Sequence, residues 1–400
     1  MSENDYVIEV HEGVAALPAA EWDALLAAQA LPTPFMRHAC LAALEDSGSV
    51  GEGTGWTPAV LVLRDRATGA LAAAAPAYFK LHSYGEYVFD WAWADAYERH
   101  GRRYYPKLVV AVPFTPVPGS RLLARDAPAR STLLRALEAL ARQAGCSSVH
   151  LLFGDAADEA AAANAGWLLR QGVQFHWHNR GAAPAGGADA IALPYADFAD
   201  FLASLQRDKR KKIAQERRRV AEAGVHFETL EGEHISGRDW DFFHACYENT
   251  YAEHHSTPYL TRDFFSRMQA TMPDNWVLFV ASREGRRVAC SLIAVDRAAG
   301  VAYGRYWGAL ESIPYVHFEA CYYQPLAWCI AQRLRRFEGG AQGEHKMARG
   351  LLPVRTQSAH WIAEPDFARA IEAHLAREGG AMDTYLDELD DRSPFRRAAP

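Results

Sequence analysis

The stretch from Tyr303 to Trp361 mixes charged and aromatic residues more closely than any other part of the sequence. Within it, a carboxylate, an imidazole and an ammonium stand side by side at Glu344, His345 and Lys346. A carboxylate or an imidazole can take a proton from an amine, and an ammonium can stabilise a developing oxyanion. These residue types predict a pocket that can accept a proton and stabilise negative charge.

Other polar residues of this stretch fit the same chemistry. Glu319 opens a predicted helix, where it is either a proton acceptor or only a partner of the helix dipole. Lys346 is either a functional cation or a solvated loop lysine. We assign catalysis to Lys346, Glu344, His345 and Glu319. We assign binding of the donor substrate to Arg305, Trp307, Gly308 and Arg349.

The local pattern predicts the elements that carry these residues. A tyrosine-rich strand leads into a turn at Trp307 and Gly308, and a helix follows from HFEACYYQ. The segment FEGGAQGEHK then reads as a glycine-rich loop, in which glycines allow the backbone to approach a ligand closely. A closing strand ends near Trp361.

This order of motifs resembles the FemAB-like branch of the GNAT acyltransferase superfamily, a group of peptidoglycan biosynthesis or recognition proteins. The resemblance covers nearly the whole chain, including TPFMRHACLAALEDSGSVG and HSYGEYVFDWAWADAYERHG. It implies an α+β fold of two tandem, duplicated GNAT-like domains, with mixed sheets flanked by helices and a C-terminal helical tail. It also implies that Lys346 stands at the place of the functional lysine of FemX-type enzymes, with His345 where those enzymes carry phenylalanine.

The segment Arg305–Leu310 is similar to the pyrophosphate loop of GNAT enzymes, except that Leu310 replaces the final small residue. This departure favours aminoacyl-tRNA over acyl-CoA as the donor. The alternative is a plain strand-to-helix turn that needs a glycine.

A strongly basic run extends from Arg207 to Arg219 and contains eight basic and two acidic residues. The whole chain has a formal charge of −7, so the run is a local cationic patch on an acidic protein. We predict a helix that is either a solvated surface or a contact to phosphates of tRNA or another anionic partner. The residues assigned to donor phosphates are Arg210, Lys211 and Lys212.

The first half holds a second polar and aromatic cluster around Tyr84 and Trp93, with strand-like alternation. In the resembled family the first domain contributes to acceptor binding; buried aromatic packing is the alternative. The residues assigned to the acceptor are Tyr84, Asp90, Trp91, Trp93, Tyr303, Tyr323 and His360.

Short motifs recur in the same order in both halves, which indicates a duplication. The segment Tyr84–Tyr87 matches Tyr303–Tyr306, and predicted hairpins over 60–79 and 277–296 precede them. Further predictions are a helix over Ala129–Ala144 and a long C-terminal helix interrupted at Gly379 and Gly380. We predict domains at 1–183 and 184–375 with a helical tail at 376–400, the boundary lying in Gly181–Gly187.

Several classes are disfavoured by composition. The six cysteines are scattered without a C-x-x-C pair, and no apolar run is long enough to span a bilayer. No secretory signal is visible, so a cytoplasmic location is expected. His176 and His178 alternate on one strand face, but no third ligand follows at defined spacing, so no metal is expected.

The sequence therefore predicts an N-acyltransferase that passes an aminoacyl or acyl group to an amine of a small molecule or cell-wall precursor. No bound cofactor is expected, and aminoacyl-tRNA is favoured over acyl-CoA as co-substrate. The rival from another class is a non-catalytic protein that recognises cell-wall fragments. Oligomeric state is left open.

Overall fold

The computed structural model describes residues 5–180, 193–341 and 343–396. The chain divides into two compact units, each assembled from separate stretches. The first unit comprises residues 1–172, 259–264 and 355–385, and the second comprises 173–258, 265–354 and 386–400. The predicted boundary segment Gly181–Gly187 lies outside the described residues.

The elements up to residue 164 belong to the first unit. Its strands are β1 (Tyr6–His11), β2 (Trp56–Pro58), β3 (Val60–Asp65), β4 (Leu71–Ala75), β5 (Ala77–Lys80), β6 (Lys107–Val110), β7 (Leu123–Ala124) and β8 (Ser148–Leu152). Its helices are α1 (Ala19–Ala27), α2 (His38–Asp46), α3 (Trp91–Arg99), α4 (Ala127–Gln143) and α5 (Ala156–Asn164).

The first unit contains antiparallel and parallel pairing. Strands β1, β3, β4 and β7 form one antiparallel sheet, while β2, β5 and β6 run antiparallel and β6 pairs parallel with β8. Helix α4 supplies the crossover before β8 that a parallel pair requires. Its buried stripe of Leu133, Leu134 and Leu137 packs into the core with Leu61 and Val149, at the spacing of an amphipathic helix.

The remaining elements follow in chain order. The strands are β9 (Leu168–His178), β10 (Val225–Glu231), β11 (Trp276–Arg283), β12 (Arg286–Asp296), β13 (Val301–Ala309), β14 (Arg336–Ala341) and β15 (Leu352–Ile362). The helices are α6 (Phe198–Ser204), α7 (Arg207–Glu222), α8 (Gly237–Glu253), α9 (Arg262–Thr271), α10 (Val316–Phe318), α11 (Gln324–Ala331) and α12 (Pro365–Asp391). A π-helical turn (Glu319–Tyr323) joins α10 to α11, and a 3-10 helix covers Glu344–Arg349.

In the second unit, β10 to β13 form an antiparallel meander. Strand β13 then pairs parallel with β14, and β14 pairs antiparallel with β9. The part of β15 that belongs to the first unit pairs antiparallel with β8. Strand β9, late in the first half of the sequence, thus pairs with β14 of the second half, and β15, late in the second half, pairs with β8 of the first.

Several sequence predictions are confirmed. The two hairpins are β3–β4 and β11–β12, the latter turning over Glu284 and Gly285. Helix α4 ends just before Gly145, whose positive φ of 67° suits a helix C-terminus. The basic run forms helix α7, with Ile213 and Val220 as its buried apolar contacts.

Three local predictions are wrong. Tyr84–Tyr87 lies in a turn, whereas Tyr303–Tyr306 lies in β13, so the two segments are not equivalent strands; α3 then begins at Trp91. The expected turn at Trp307 and Gly308 is absent because pairing with β12 carries β13 on to Ala309. Helix α12 also passes through Gly379 and Gly380 without interruption.

Candidate active site

The candidate site is a cleft between two parallel strands of the second unit. Parallel pairing joins Val301–Tyr303 of β13 to Arg336–Glu338 of β14. Beyond the last pair, Tyr303 and Glu338, the continuations of both strands line opposite walls of a cavity. We call this last pair the apex of the cleft. A gap of this kind exposes edge backbone groups to a ligand.

The cavity has a volume of about 130 Å³. One wall comes from β12 and β13, another from β14 and the 3-10 helix, and the third from the helical segment that starts at Val316. The lining side chains mix aromatic, basic and small residues. They are Ser291, Leu292, Ile293, Gly304, Arg305, Tyr306, Trp307, His317, Cys321, Tyr322, Phe337, Gly339 and Lys346.

Lys346 is buried at the wall of this cleft, with only 7% of its surface exposed. Its ammonium donates hydrogen bonds to the carbonyls of Gly339 at 2.6 Å, Ala341 at 3.0 Å and Gly340 at 3.4 Å. These acceptors hold the ammonium in one position, while burial lowers its pKa to about 8. Lys346 is therefore a fixed cation facing a cavity, and the solvated-loop alternative does not describe it.

Two histidines accompany Lys346. The ring of His317 packs edge-on against Trp307, with 5.1 Å between ring centroids, and lines the cleft. Burial, reinforced by the charges of His345, Arg349 and Lys346, lowers the pKa of His317 to about 4. His345 lies behind it, with Nε2 3.1 Å from the hydroxyl of Tyr322. His317 is thus neutral around pH 7 and able to accept a proton.

Arg305 reaches the cleft because of a β-bulge. The register between β12 and β13 shifts from Leu292 opposite Tyr306 to Ile293 opposite Gly304, which leaves Arg305 as the extra residue. Its guanidinium donates to the Tyr306 hydroxyl at 3.0 Å and lies 5.0 Å from that ring. The bulge thereby adds a second cation to the cleft wall, which regular alternation of side chains along the strand would not do.

Glu319 and Glu344 do not line this cavity. Glu319 is buried and accepts hydrogen bonds from Arg217 at 3.1 Å and from Gln324 at 2.7 Å. Burial raises the pKa of Glu319, and the Arg217 charge opposes that change. Glu344 is exposed, with an ion pair of 3.6 Å to Arg392. The structure therefore brings Lys346, Arg305 and Trp307 together and places these two carboxylates elsewhere.

Arg349 and Tyr323 form a buried network behind the cleft. The Arg349 guanidinium donates to Glu216 at 3.0 Å and lies 3.5 Å from the ring centroid of Phe318. The Tyr323 hydroxyl donates to the same carboxylate. Arg349 is only 3% exposed. Both residues thus fasten helix α7 to the elements that carry the cleft.

Gly308 has a packing function in the structure. A Cβ atom at this position would lie 2.1 Å from the backbone carbonyl oxygen of Cys246 in α8. Glycine is therefore required for β13 to approach that helix, independently of any ligand.

The predicted donor-phosphate residues lie on α7. Lys211 and Lys212 are exposed, and Arg210 is half-buried. Residues Glu216 and Arg217 of the same helix point to Arg349 and Glu319. Helix α7 thus presents one charged face to solvent and contributes another to the network behind the cleft.

The remaining acceptor predictions fall in the first unit. Asp90, Trp93 and His360 are buried, while Tyr84 and Trp91 are exposed and in edge contact, with 5.2 Å between ring centroids. The ammonium of Lys107 pairs with Glu86 at 2.7 Å and also with Asp90. His360 Nδ1 lies 2.7 Å from Nδ1 of His150, and its ring meets Trp93 edge-on.

Burial and charge interactions together decide how this first-unit cluster ionises. Burial raises the pKa of Glu86 to about 7 despite Lys107. For Asp90, burial acts to raise the pKa, but the charge of Lys107 outweighs it, so the pKa of Asp90 is lowered. Burial also lowers the pKa of Lys80 to about 7 and that of His360 to about 3.

The residues assigned to the acceptor do not all lie in one unit. Tyr303, at the apex, and Tyr323, in the Arg349 network, belong to the second unit, and the other five belong to the first.

Sequence reasoning missed several cleft residues. His317 and Tyr322 were visible only as neighbours of Glu319, and Cys321 looked like one of several scattered thiols. Glu338 at the apex carried no local signal, because its place follows from long-range pairing of β14 with β13 and β9.

Comparison with known proteins agrees with this architecture. The structure resembles FemX, with 11% identity, a TM-score of 0.50 and coverage of 89% of this chain and 98% of that one. It also resembles L-PGS from Bacillus licheniformis, with 11% identity, a TM-score of 0.52 and coverage of 90% and 94%. A protein of unknown function from Bacteroides thetaiotaomicron VPI-5482 matches at 10% identity, with a TM-score of 0.50 and coverage of 88% and 99%. The fold is thus the predicted α+β, duplicated GNAT-like one.

The chain belongs to the FemAB-like family, described as peptidoglycan biosynthesis/recognition, whose sequence profile matches residues 13–397. Curated protein sequences contain no significant match. Within the described ranges, no cluster of three or more His, Cys, Asp or Glu residues could hold a metal ion. Across the same part of the chain, no helix has the length and apolar character needed to cross a membrane.

Proposed function

We propose that this protein is an N-acyltransferase that passes an aminoacyl or acyl group to an amine. The observation that carries the proposal is the buried Lys346 ammonium, held by three carbonyls at the wall of the cleft. A fixed cation in a partly dehydrated cavity suits a tetrahedral intermediate, whose carbonyl oxygen becomes negative. A merely structural lysine would not need to face an open cavity.

The reaction would proceed by attack of the acceptor's neutral amine on the donor carbonyl. The C–N bond forms, and negative charge on the carbonyl oxygen is stabilised by Lys346 and, from the opposite wall, Arg305. The attacking nitrogen then passes a proton to the neutral imidazole of His317, and the imidazolium gives that proton to the donor's departing oxygen or sulfur as the bond to the leaving group breaks. His345, through Tyr322, orients this side of the cleft.

Aminoacyl-tRNA is the donor that we favour, and acyl-CoA is the alternative. Residues 305–309 of this segment belong to strand β13 rather than to a loop before a helix, so the resemblance to a pyrophosphate loop has no matching backbone shape. Exposed cations of α7, by contrast, form a surface suited to a polyanion. The family description supports a cell-wall precursor as the acceptor.

The test is mass spectrometry of the protein incubated with charged tRNA or with acyl-CoA pools, together with amine-bearing cell-wall fragments. Consumption of one donor and a matching mass gain on an acceptor are expected, and Lys346→Ala should strongly slow both. Arg102→Ala, which removes an exposed cation of the first unit, is the matched control for the chemical step. Binding of fragments without consumption of either donor would instead support the recognition protein.

A further inference from the structure

The edge strand β1 of the first unit leaves apolar side chains exposed. Among the described residues, β1 pairs with β3 alone, so its other edge is open. Val7, Ile8 and Val10 of this strand are 39%, 52% and 48% exposed. An apolar edge strand of this kind is a ready template for pairing with a further strand.

The strands at the other ends of the two sheets carry features that prevent such pairing. Strand β7 has two residues, β2 has three and ends at Pro58, and β10 exposes His226, Glu228 and Thr229. Short length, proline and charged side chains all discourage edge-to-edge association. Strand β1 has six residues without proline, lysine or arginine, and its pairing with β3 contains no bulge. The protection is therefore missing at β1 in particular.

The hydrogen-bond pattern shows which residues of β1 face the open edge. The amide of Arg66 donates to the carbonyl of Asp5, so the backbone groups of Asp5 point towards β3. This direction alternates along an antiparallel ladder, so the backbone groups of Tyr6, Ile8 and Val10 point towards the open edge. Ile8 and Val10 thus present exposed apolar side chains and outward backbone groups together.

A further strand would also continue the core face of the sheet. Ile8 lies opposite Leu63 of β3, and Val10 lies opposite Leu61. Both leucines are buried in the core of the first unit, and residues opposite one another in neighbouring strands share a face. Ile8 and Val10 are therefore core-facing residues that the sheet's own elements leave half-covered.

A second copy of β1 fits this edge in an antiparallel register centred on Ile8. In that register Ile8 lies opposite itself and Tyr6 lies opposite Val10, so the residues with outward backbone groups form the hydrogen-bonded pairs. Apolar side chains then meet apolar side chains on the core face. At each end, Asp5 of one copy lies opposite His11 of the other, which places an acid against a base.

The other registers fit less well. Centring the pair on Glu9 places two carboxylates opposite one another. Centring it on Val7 or Val10 overlaps only three strand residues of each copy. A register centred between two residues sets outward backbone groups against inward ones, so it cannot form the ladder.

We infer that β1 is a homodimerisation edge, at which two copies of this chain join their sheets about a two-fold axis at Ile8. Each copy offers the same residues to the other, as a closed two-fold contact requires. The contact involves few residues, so the dimer should be weak, with a Kd of roughly 10–100 µM. This inference does not depend on the proposed function.

Sedimentation velocity of the full chain, from about 2 to 500 µM, tests the dimer. The mass of the parent should rise from 44.3 kDa towards twice that value. Ile8→Lys combined with Val10→Lys places like charges at the centre of the contact and should remain monomeric at every concentration. Leu81→Lys is the matched control, because Leu81 is a 63% exposed apolar residue of the same unit outside β1, and it should dimerise like the parent.

A parent that stays monomeric throughout overturns the inference. So does a dimer that survives in the double lysine variant, or one that is lost in Leu81→Lys. Thermal melting checks that each variant is folded, and cross-linking provides a test that does not need the double lysine variant.

Oxidation by copper phenanthroline tests the register with single cysteines. Ile8→Cys places two thiols opposite one another in a hydrogen-bonded pair, where Cα atoms about 5.5 Å apart suit a disulfide. It should give a covalent dimer on a non-reducing gel, whereas Val7→Cys, which lies opposite Glu9, and Leu81→Cys should not. The parent, whose six cysteines are buried or half-buried, is the blank. A covalent dimer formed as readily by Leu81→Cys or Val7→Cys as by Ile8→Cys overturns the proposed contact.

Discussion

Replacing Lys346 by methionine should change how the stability of the protein depends on pH. Burial lowers the pKa of Lys346 from 10.5 to about 8 in the folded chain. Between these two pH values the unfolded chain binds more protons at this lysine than the folded chain does. The free energy of unfolding contributed by Lys346 therefore rises with pH across this window and is flat below about pH 8.

The size of the effect follows from the same two values. A difference of one pKa unit corresponds to about 1.4 kcal/mol, so the rise between pH 8 and 10.5 should be roughly 3 kcal/mol. Lys346→Met removes this contribution, together with the hydrogen bonds to the three carbonyls. The difference in free energy of unfolding, variant minus parent, should therefore be more positive at pH 7 than at pH 10.

The assay is urea denaturation of both proteins at closely spaced pH values from 7 to 10.5. Subtracting the two curves cancels the other titrating groups, because both proteins share them. Lys212→Met, which removes an exposed lysine, should show no such pH-dependent difference from the parent. Parallel curves for the parent and Lys346→Met would refute the reasoning, since they would mean that the lysine titrates alike in both states.

Three further results are expected. Lys346→Ala should lower turnover by about 10²- to 10³-fold in the donor-consumption assay, the cost of losing one stabilising group for the oxyanion; wild-type turnover would contradict the assignment. Four cations of α7 contribute to the proposed tRNA surface: Arg210, Lys211, Lys212 and Arg218. Replacing all four by glutamine should weaken tRNA binding and flatten its salt dependence, whereas the control Arg102→Gln with Arg103→Gln should change neither. An unchanged salt titration would mean that α7 is only a solvated surface. Glu216→Gln should cost about 3–5 kcal/mol in chemical denaturation by leaving the Arg349 charge buried without its partner, and Glu216→Leu combined with Arg349→Met should recover much of it; a loss below about 1 kcal/mol in Glu216→Gln would show that the pair is not effectively buried.

Local patterns made much of the fold predictable. The hairpin β11–β12 follows from two apolar strands around Glu284 and Gly285, and α7 from apolar residues seven positions apart at Ile213 and Val220. The turn at Tyr84–Tyr87 was mistaken for a strand because aromatic residues favour strands whenever their neighbours are not known. The turn at Trp307 was predicted wrongly because Gly308 was taken as a turn glycine, whereas it allows β13 to approach Cys246 closely.

The candidate site was predictable only in part. Lys346 was found because a family resemblance and a glycine-rich segment both indicated it, and the structure places it in a cleft with Arg305 and Trp307. Glu338 and His317 needed information that a sequence does not contain locally. The first depends on the strand register with Tyr303, and the second on how the helical segment is rotated against Trp307.

The π-helical turn at Glu319–Tyr323 begins two residues after His317 and fits one more residue into the segment than an α-helix would. Its two neighbouring tyrosines face different sides: Tyr322 faces His345 and the cleft, and Tyr323 faces Glu216. Pro325, which lacks an amide hydrogen, lies just after the turn. Deleting a single residue here would rotate everything downstream by about 100° and carry the buried Leu326 off its face of the helix. The segment should therefore accept no change of length, even one that leaves its contacting side chains in place.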